Sequence, residues 1–310
     1  MRSLTSELRQ VQEADEALRD RMFALMLTCY EGMDRARFEA DLAGKDEIIL
    51  LYNEAGSLQG FSTQVELEVA VGGRSVRGVF SGDTVIAPES WGGGELFKRF
   101  ALTYCTRAAS YREQTGEELY WFLISKGQRT YRILPTFYKQ FYPRRQEATP
   151  AELQAIMHAF GEQYFGADYD AASGVIRYSQ PKDKLLPGVA EPDPTHLKQP
   201  DVRFFVERNP GWSEGHDLVC LTSLHPVGPM QFIPESWEKY GRDANGDGRA
   251  DPNQIDDAAI AAARLLCETG GDLSVAENWQ RAILAYNASQ EYVMQVRDAA
   301  AAYSVGTTAP

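Results

Sequence analysis

Apolar and polar positions along this chain repeat with two different periods, and the period changes where turn residues fall. Residues 8–29 place apolar side chains at helical spacing and predict an amphipathic helix. Residues 47–52, 58–71 and 75–86 alternate or run apolar, with turn residues at 53–56 and 72–73, and predict three meandering strands. Residues 96–111 return to helical spacing. Residues 119–125 are almost continuously apolar and predict a fully buried strand, and residues 130–142 predict a helix interrupted by Pro135. Beyond Gly228 the pattern is helical and rich in Ala, with helices predicted over 255–269, 276–286 and 291–303 and Gly270 and Gly271 closing the first of them. The fold class expected is α+β: a mixed-sheet module followed by a small all-α module.

Between these modules lies a stretch of different texture. Residues 181–200 hold five prolines among Lys, Asp and Glu, which reads as an extended connector. The divisions expected are therefore 1–146, an extension with its connector over 147–226, a helical module over 227–305 and a tail over 306–310.

Charge narrows the range of partners. The 310 residues carry 44 acidic and 31 basic side chains, a net of −13, with no Lys/Arg-rich run, so nucleic acid and anionic membrane are not expected partners. Residues 228–310 hold 12 of the acids against 6 bases, so acidity is denser there. No apolar stretch approaches the ~20 residues that span a bilayer. The charged segment 1–20 does not read as a signal peptide, and the expectation is a cytoplasmic protein that reaches the cell envelope only by another route. The cysteines at 29, 105, 220 and 267 are far apart with no paired spacing, as expected of reduced thiols. The four histidines show no ligand spacing, and no Ser-His-Asp arrangement is visible.

Three segments carry candidate chemistry. The first joins a predicted strand to a predicted helix: Glu89, Ser90 and Trp91 precede Gly92, Gly93 and Gly94. Consecutive glycines leave backbone N–H groups uncovered at a helix start, where anions bind. This segment resembles the acyl-CoA loop of the GNAT acetyltransferase superfamily, over about residues 1–146. The resemblance implies acetyl-CoA or another acyl-CoA as donor, an amine acceptor and direct attack on the thioester. It also implies that Tyr138 protonates the departing thiolate, and that residues 120–125 form the strand that splays to admit the donor. Glu89 departs from the pattern, which has Gln or Arg there.

The second segment places oxygen side chains at Asp243, Asn245, Asp247 and Asp251, with Gly248 at the sharp turn. That spacing suits a weak structural Ca²⁺ site, although Gln254 stands where a bidentate carboxylate would complete the loop.

The third segment surrounds the second. The run from Val227 through Gly228, Met230, Gln231, Phe232 and Pro234 to Trp237, then Tyr240 and Gly241, Asp256 and Asp257, and finally Ala285, Tyr286 and Asn287, resembles a soluble-type lytic transglycosylase over about residues 227–303. The resemblance implies a lysozyme-like fold and peptidoglycan strands as partner. Gly228, Gln231, Tyr286 and Asn287 become groove residues: amides can hold acetamido groups and an aromatic ring can stack on sugars. The family's catalytic Glu, followed by Ser, belongs upstream of Gly228, and no such pair stands there. Two readings remain open: a truncated module that binds glycan without cutting it, or a helix rebuilt from residues 201–226 with Glu207 or Glu214 as substitute acid.

Overall fold

The structure is a computed structural model of the chain. It describes residues 4–91, 95–138, 140–178, 183–189, 191–192, 196–224, 237, 239–252, 254–286, 292–294, 296–297 and 300. The chain divides into two compact units, Arg2–His225 and Pro226–Pro310.

The larger unit is built on an eight-stranded sheet in the order β1-β3-β4-β5-β6-β10-β8-β7. Its strands are β1 (Leu4–Gln10), β3 (Glu47–Asn53), β4 (Leu58–Val71), β5 (Arg74–Ile86), β6 (Leu119–Ser125), β7 (Tyr169–Asp170), β8 (Val175–Ile176) and β10 (Asp217–Ser223). All neighbours run antiparallel except β5 and β6, which are parallel. A parallel pair needs a crossover, and α3 (Glu95–Thr115) supplies it. Two short strands, β2 (Tyr30–Glu31) and β9 (Lys184–Leu185), pair separately. The remaining helices of the unit are α1 (Glu16–Met26), α2 (Arg35–Ala43), α4 (Gln128–Tyr131), α5 (Ile133–Phe137), α6 (Ala151–Phe165) and α7 (Pro200–Arg208).

Helices cover both faces of the sheet, which explains why β3 and β6 are apolar without interruption. Along β3, Ile48 and Leu50 pack with Leu18, Met22, Phe38 and Leu42 of α1 and α2. Ile49 and Leu51 point the other way, toward Phe100 and Tyr104 of α3. On β6, Trp121 and Leu123 join the α3 side, whereas Phe122 packs with Phe160 of α6.

The first predicted helix needs correction. Residues 4–10 are the edge strand β1, paired with β3 from Leu4↔Asn53 to Gln10↔Glu47, and α1 begins only at Glu16. Asp15 caps that helix by accepting from the Leu18 N–H, so the helix start lies eight residues later than periodicity alone places it. Strand pairing at a sheet edge overrode local spacing. The segment 147–226, expected as an extension, supplies strands β7, β8 and β10 to the same sheet, together with helices α6 and α7. The proline-rich stretch holds β9, which pairs with β2, a short 3₁₀ turn at His196–Lys198 and the first residue of α7.

The smaller unit contains α8 (Ile255–Gly270) and α9 (Ala276–Tyr286). Ala258, Ala261, Ala262 and Leu265 form the buried stripe of α8 at helical spacing, and small side chains let α9 approach with Ala282 and Ile283. Gly271 ends α8 at φ 74°, the left-handed region that glycine enters without strain. The α+β layout is as expected: a mixed sheet flanked by helices, then a helical unit. No helix among the described residues is long and apolar enough to cross a membrane.

Candidate functional site

In the larger unit the parallel pair β5·β6 keeps register from Arg77↔Leu119 to Ser81↔Leu123 and then stops. At the same place the β4·β5 register passes from Gln64↔Ser81 to Ser62↔Thr84, so two residues of β5, Gly82 and Asp83, oppose one residue of β4. Such a bulge re-aims backbone groups. Strand β5 thus leaves both neighbours at residues 82–83, whereas residues 120–125, the strand expected to splay, keep their pairing with β10 from Leu218↔Ser125 to Ser223↔Tyr120. A cavity of about 670 Å³ opens there, within the size range of small-molecule sites.

Its apolar wall comes from α3 and β6. Phe97, Phe100 and Trp121 line it, with Phe100 and Trp121 ring centroids 4.6 Å apart. The Trp121 indole N–H donates to Ser81 Oγ at 2.8 Å, fixing the ring against β5. A second wall comes from α2 and the turn after it, where Asp41 and Lys45 line the cavity. Lys45 Nζ donates to the Asp41 backbone carbonyl at 3.0 Å and lies 5.9 Å from the Phe80 ring centroid.

A charged cluster occupies a third side. Lys126, just past the end of β6, donates to Asp183 Oδ2 at 2.9 Å and to the Asp183 backbone carbonyl at 3.0 Å, with Asp217 Oδ2 at 3.7 Å. Burial works against its charge, but the Asp217 and Asp183 carboxylates prevail and raise its pKa, so the ammonium stays charged. Tyr178 donates to Asp217 Oδ2 at 2.9 Å. Burial, then the nearby Asp217 charge, raises the Tyr178 pKa and keeps the phenol neutral. Sequence reasoning missed this cluster, because Lys126, Asp183 and Asp217 come from three distant segments. Asp183 belongs to the stretch expected only to connect.

Beside the glycine loop, Trp91 donates its indole N–H to the Ile86 carbonyl at 2.8 Å. The Arg129 guanidinium lies 4.2 Å above that ring. Arg129 therefore brings a positive charge onto Trp91, two residues along the chain from exposed Glu89. Gly92, Gly93 and Gly94 lie outside the described residues. Tyr138 packs into the aromatic cluster beside the cavity, its ring 5.6 Å from Trp121 and 6.4 Å from Phe97. Burial raises its pKa well above the usual phenol value.

The smaller unit places fewer of the expected residues on view. Gly228, Gln231 and Asn287 lie outside the described residues. Tyr286 ends α9 with its ring stacked 6.3 Å from Tyr292, and it packs against the cluster of Tyr240, Ala261, Ala262 and Leu265. Glu207 and Glu214 both lie in the larger unit, exposed on α7 and on a short 3₁₀ turn.

The Asp/Asn loop is closed by its own backbone. Asp243 accepts from the N–H groups of Gly246 (2.6 Å) and Gly248 (2.8 Å), Asn245 from Asp247 (3.0 Å), and Asp247 from Arg249 (2.9 Å). Fully buried Asp257, in the first turn of α8, accepts from the N–H groups of Ala244, Asn245 and Asp251. These bonds, from Asp251 and Ala244 above all, hold its carboxyl below the usual range. Among the described residues no group of three or more Asp, Glu, His or Cys could hold a metal ion.

Comparison with known proteins adds to this geometry. Residues 226–274 match the family model "Transglycosylase SLT domain". No curated protein sequence matches the chain. Among solved structures, the chain is similar to a probable N-acyltransferase of Enterococcus faecalis V583. The identity is 15% and the TM-score 0.33, over 43% of this chain and 32% of that one. It is similar to the GNAT family N-acetyltransferase YhbS of Escherichia coli in complex with CoA at 14% identity and TM-score 0.29, over 40% and 64%. A Bacillus halodurans protein matches at 15% identity and TM-score 0.31, over 47% and 96%. The chain thus spans about a third of the first of these proteins and just under two thirds of the second.

Proposed function

We propose that residues 2–225 form an N-acyltransferase that takes an acyl group from acyl-CoA and passes it to an amine. The observation that carries this reading is the cavity at the parting of β5 and β6, coincident with the bulge at Gly82 and Asp83. When bound, acyl-CoA would supply the acyl group as a thioester. The parted strands give an extended donor arm a slot between two backbones. The N–H groups of the bulge suit the oxygen on which charge develops, which is the largest single contribution available in acyl transfer. Arg129, fixed over Trp91, suits the phosphates of the donor, and Gly92, Gly93 and Gly94 with the start of α3 complete that end. Tyr138, whose ring lies 5.6 Å from Trp121 beside the cavity, is the candidate proton donor to the leaving thiolate. Isothermal titration of the full chain with acetyl-CoA tests the reading. Saturable heat is expected, with affinity falling about tenfold or more in Arg129→Ala on loss of a charge-assisted contact. No heat at millimolar acetyl-CoA would refute it.

The match over residues 226–274 favours a second reading for the smaller unit, that it is directed to peptidoglycan strands. We propose that it binds glycan through Tyr286 together with Gly228, Gln231 and Asn287, and does not cut it. The two acids weighed as substitutes, Glu207 and Glu214, are exposed side chains of the larger unit.

A further inference from the structure

On the reading that residues 2–225 bind acyl-CoA, we infer that Lys45 is the cation that polarises the thioester carbonyl, acting together with the bulge backbone of Gly82 and Asp83. The sequence does not single out Lys45. It follows α2 in a turn of mixed composition, and only the folded chain brings it to the bulge.

Three observations support the assignment. The first is position: a Cβ built on Gly82 would stand 2.6 Å from Lys45 Cε and 3.4 Å from Lys45 Nζ. The lysine therefore lies against Gly82, one of the two residues that β5 leaves out of register on both sides. Gly82 has no side chain where Lys45 reaches across, so the strand and the lysine fit each other.

The second is charge. The other lysine lining the cavity, Lys126, is held by Asp183 at 2.9 Å. Lys45 forms no ion pair within 4 Å among the described residues, and its one hydrogen bond goes to a backbone carbonyl at 3.0 Å. An ammonium whose charge is not already spent on a carboxylate can answer negative charge arising elsewhere.

The third is medium. Phe80 lies under the ammonium, and Phe97, Phe100 and Trp121 line the same cavity. Apolar walls lower the local dielectric and strengthen the effect of a fixed charge.

In the transfer step the amine nitrogen bonds to the carbonyl carbon and loses a proton to solvent. The carbon–sulfur bond breaks, and the thiolate leaves with the electron pair. Negative charge resides on the carbonyl oxygen between these events. Lys45 moves no proton in this account; it is a fixed positive charge at the place where that oxygen sits.

The test reads the carbonyl directly and needs no acceptor. Acetyl-CoA labelled with ¹³C at the carbonyl is bound to the full chain, and its stretch is recorded by infrared difference spectroscopy for wild type, Lys45→Met, Lys45→Arg and Gly82→Ala. Affinity is measured on the same samples by titration calorimetry. The wild type is expected to lower the stretch relative to free acetyl-CoA. Lys45→Met should return it toward the free value with affinity retained, and Lys45→Arg should restore most of the lowering. Gly82→Ala, which pushes the ammonium aside without removing it, should fall between. An unchanged stretch in Lys45→Met with donor bound would overturn the assignment and leave the acyl-CoA reading standing. Loss of donor binding in Lys45→Met, with Gly82→Ala at the wild-type stretch, would make Lys45 a donor-binding residue and overturn it too. Absence of binding by the wild type would remove both.

Discussion

Glu47 shows how a single residue is kept in a place its chemistry disfavours. It is 6% exposed at the start of β3, opposite Gln10 of β1 and Gln64 of β4. Arg107 grips its carboxylate through both guanidinium nitrogens at 2.6 and 2.7 Å, Tyr104 donates at 2.6 Å and Gln10 at 3.0 Å. Burial pushes its pKa up, but the hydrogen bonds from Arg107 and Tyr104 outweigh this and hold it below the usual glutamate range. A depressed native pKa means the unfolded chain binds the proton more tightly. The stabilisation is therefore fully present above about pH 4.3, the unfolded value, and is lost as pH falls through the lower native value. Urea midpoints from pH 7 down to pH 3 should fall more steeply for the wild type than for Glu47→Gln. Equal slopes would show that this site does not set the acid sensitivity. At the same scale, periodicity could read Glu47 only as the polar start of a strand, since Arg107 and Tyr104 lie some 60 positions away.

At the level of elements, the strands that bury both faces were legible and the helices' partners were not. The continuous apolar runs of β3 and β6 announce strands covered on two sides, and that is how they are packed. Helix α6 gives no comparable signal about what it covers. Its Phe160 is fully buried, packs 5.0 Å from Phe122 by ring centroids, and stands so close to β5 that a Cβ on Gly78 would meet Phe160 Cζ at 2.9 Å. Phe160→Ala should cost about 3–5 kcal/mol in the stability of the larger unit, measured by chemical denaturation. A loss under about 1 kcal/mol would mean that the α6 face collapses to fill the space. Edge strand β1 shows the opposite failure: its spacing fits a helix, and only the hydrogen-bonding row offered by β3 draws it into the sheet. In the smaller unit, α8 was readable from both ends, because acidic Asp256 and Asp257 open it and glycines close it. What Asp257 does there was not, since its carboxylate turns back to organise the preceding loop.

For the whole molecule, a cavity-bearing unit and a unit matching a transglycosylase model share one chain. If the smaller unit binds glycan without cutting it, the full chain should co-sediment with purified sacculi and release no 1,6-anhydromuropeptides detectable by mass spectrometry. Such products would restore glycan cleavage. Failure to co-sediment would remove the glycan reading altogether.

The sequence by itself determined what depends on near neighbours: the strand runs, the glycine stops, the loop of Asp and Asn turns and the motif order after residue 226. These features follow from spacing and backbone preference, which act over a few residues. Only the tertiary structure decided where β5 and β6 part, that Asp183 and Asp217 hold Lys126, and that Lys45 lies against Gly82. Each of these joins segments far apart along the chain. Their energies depend on distance in space and on exclusion of water, and a linear pattern records neither.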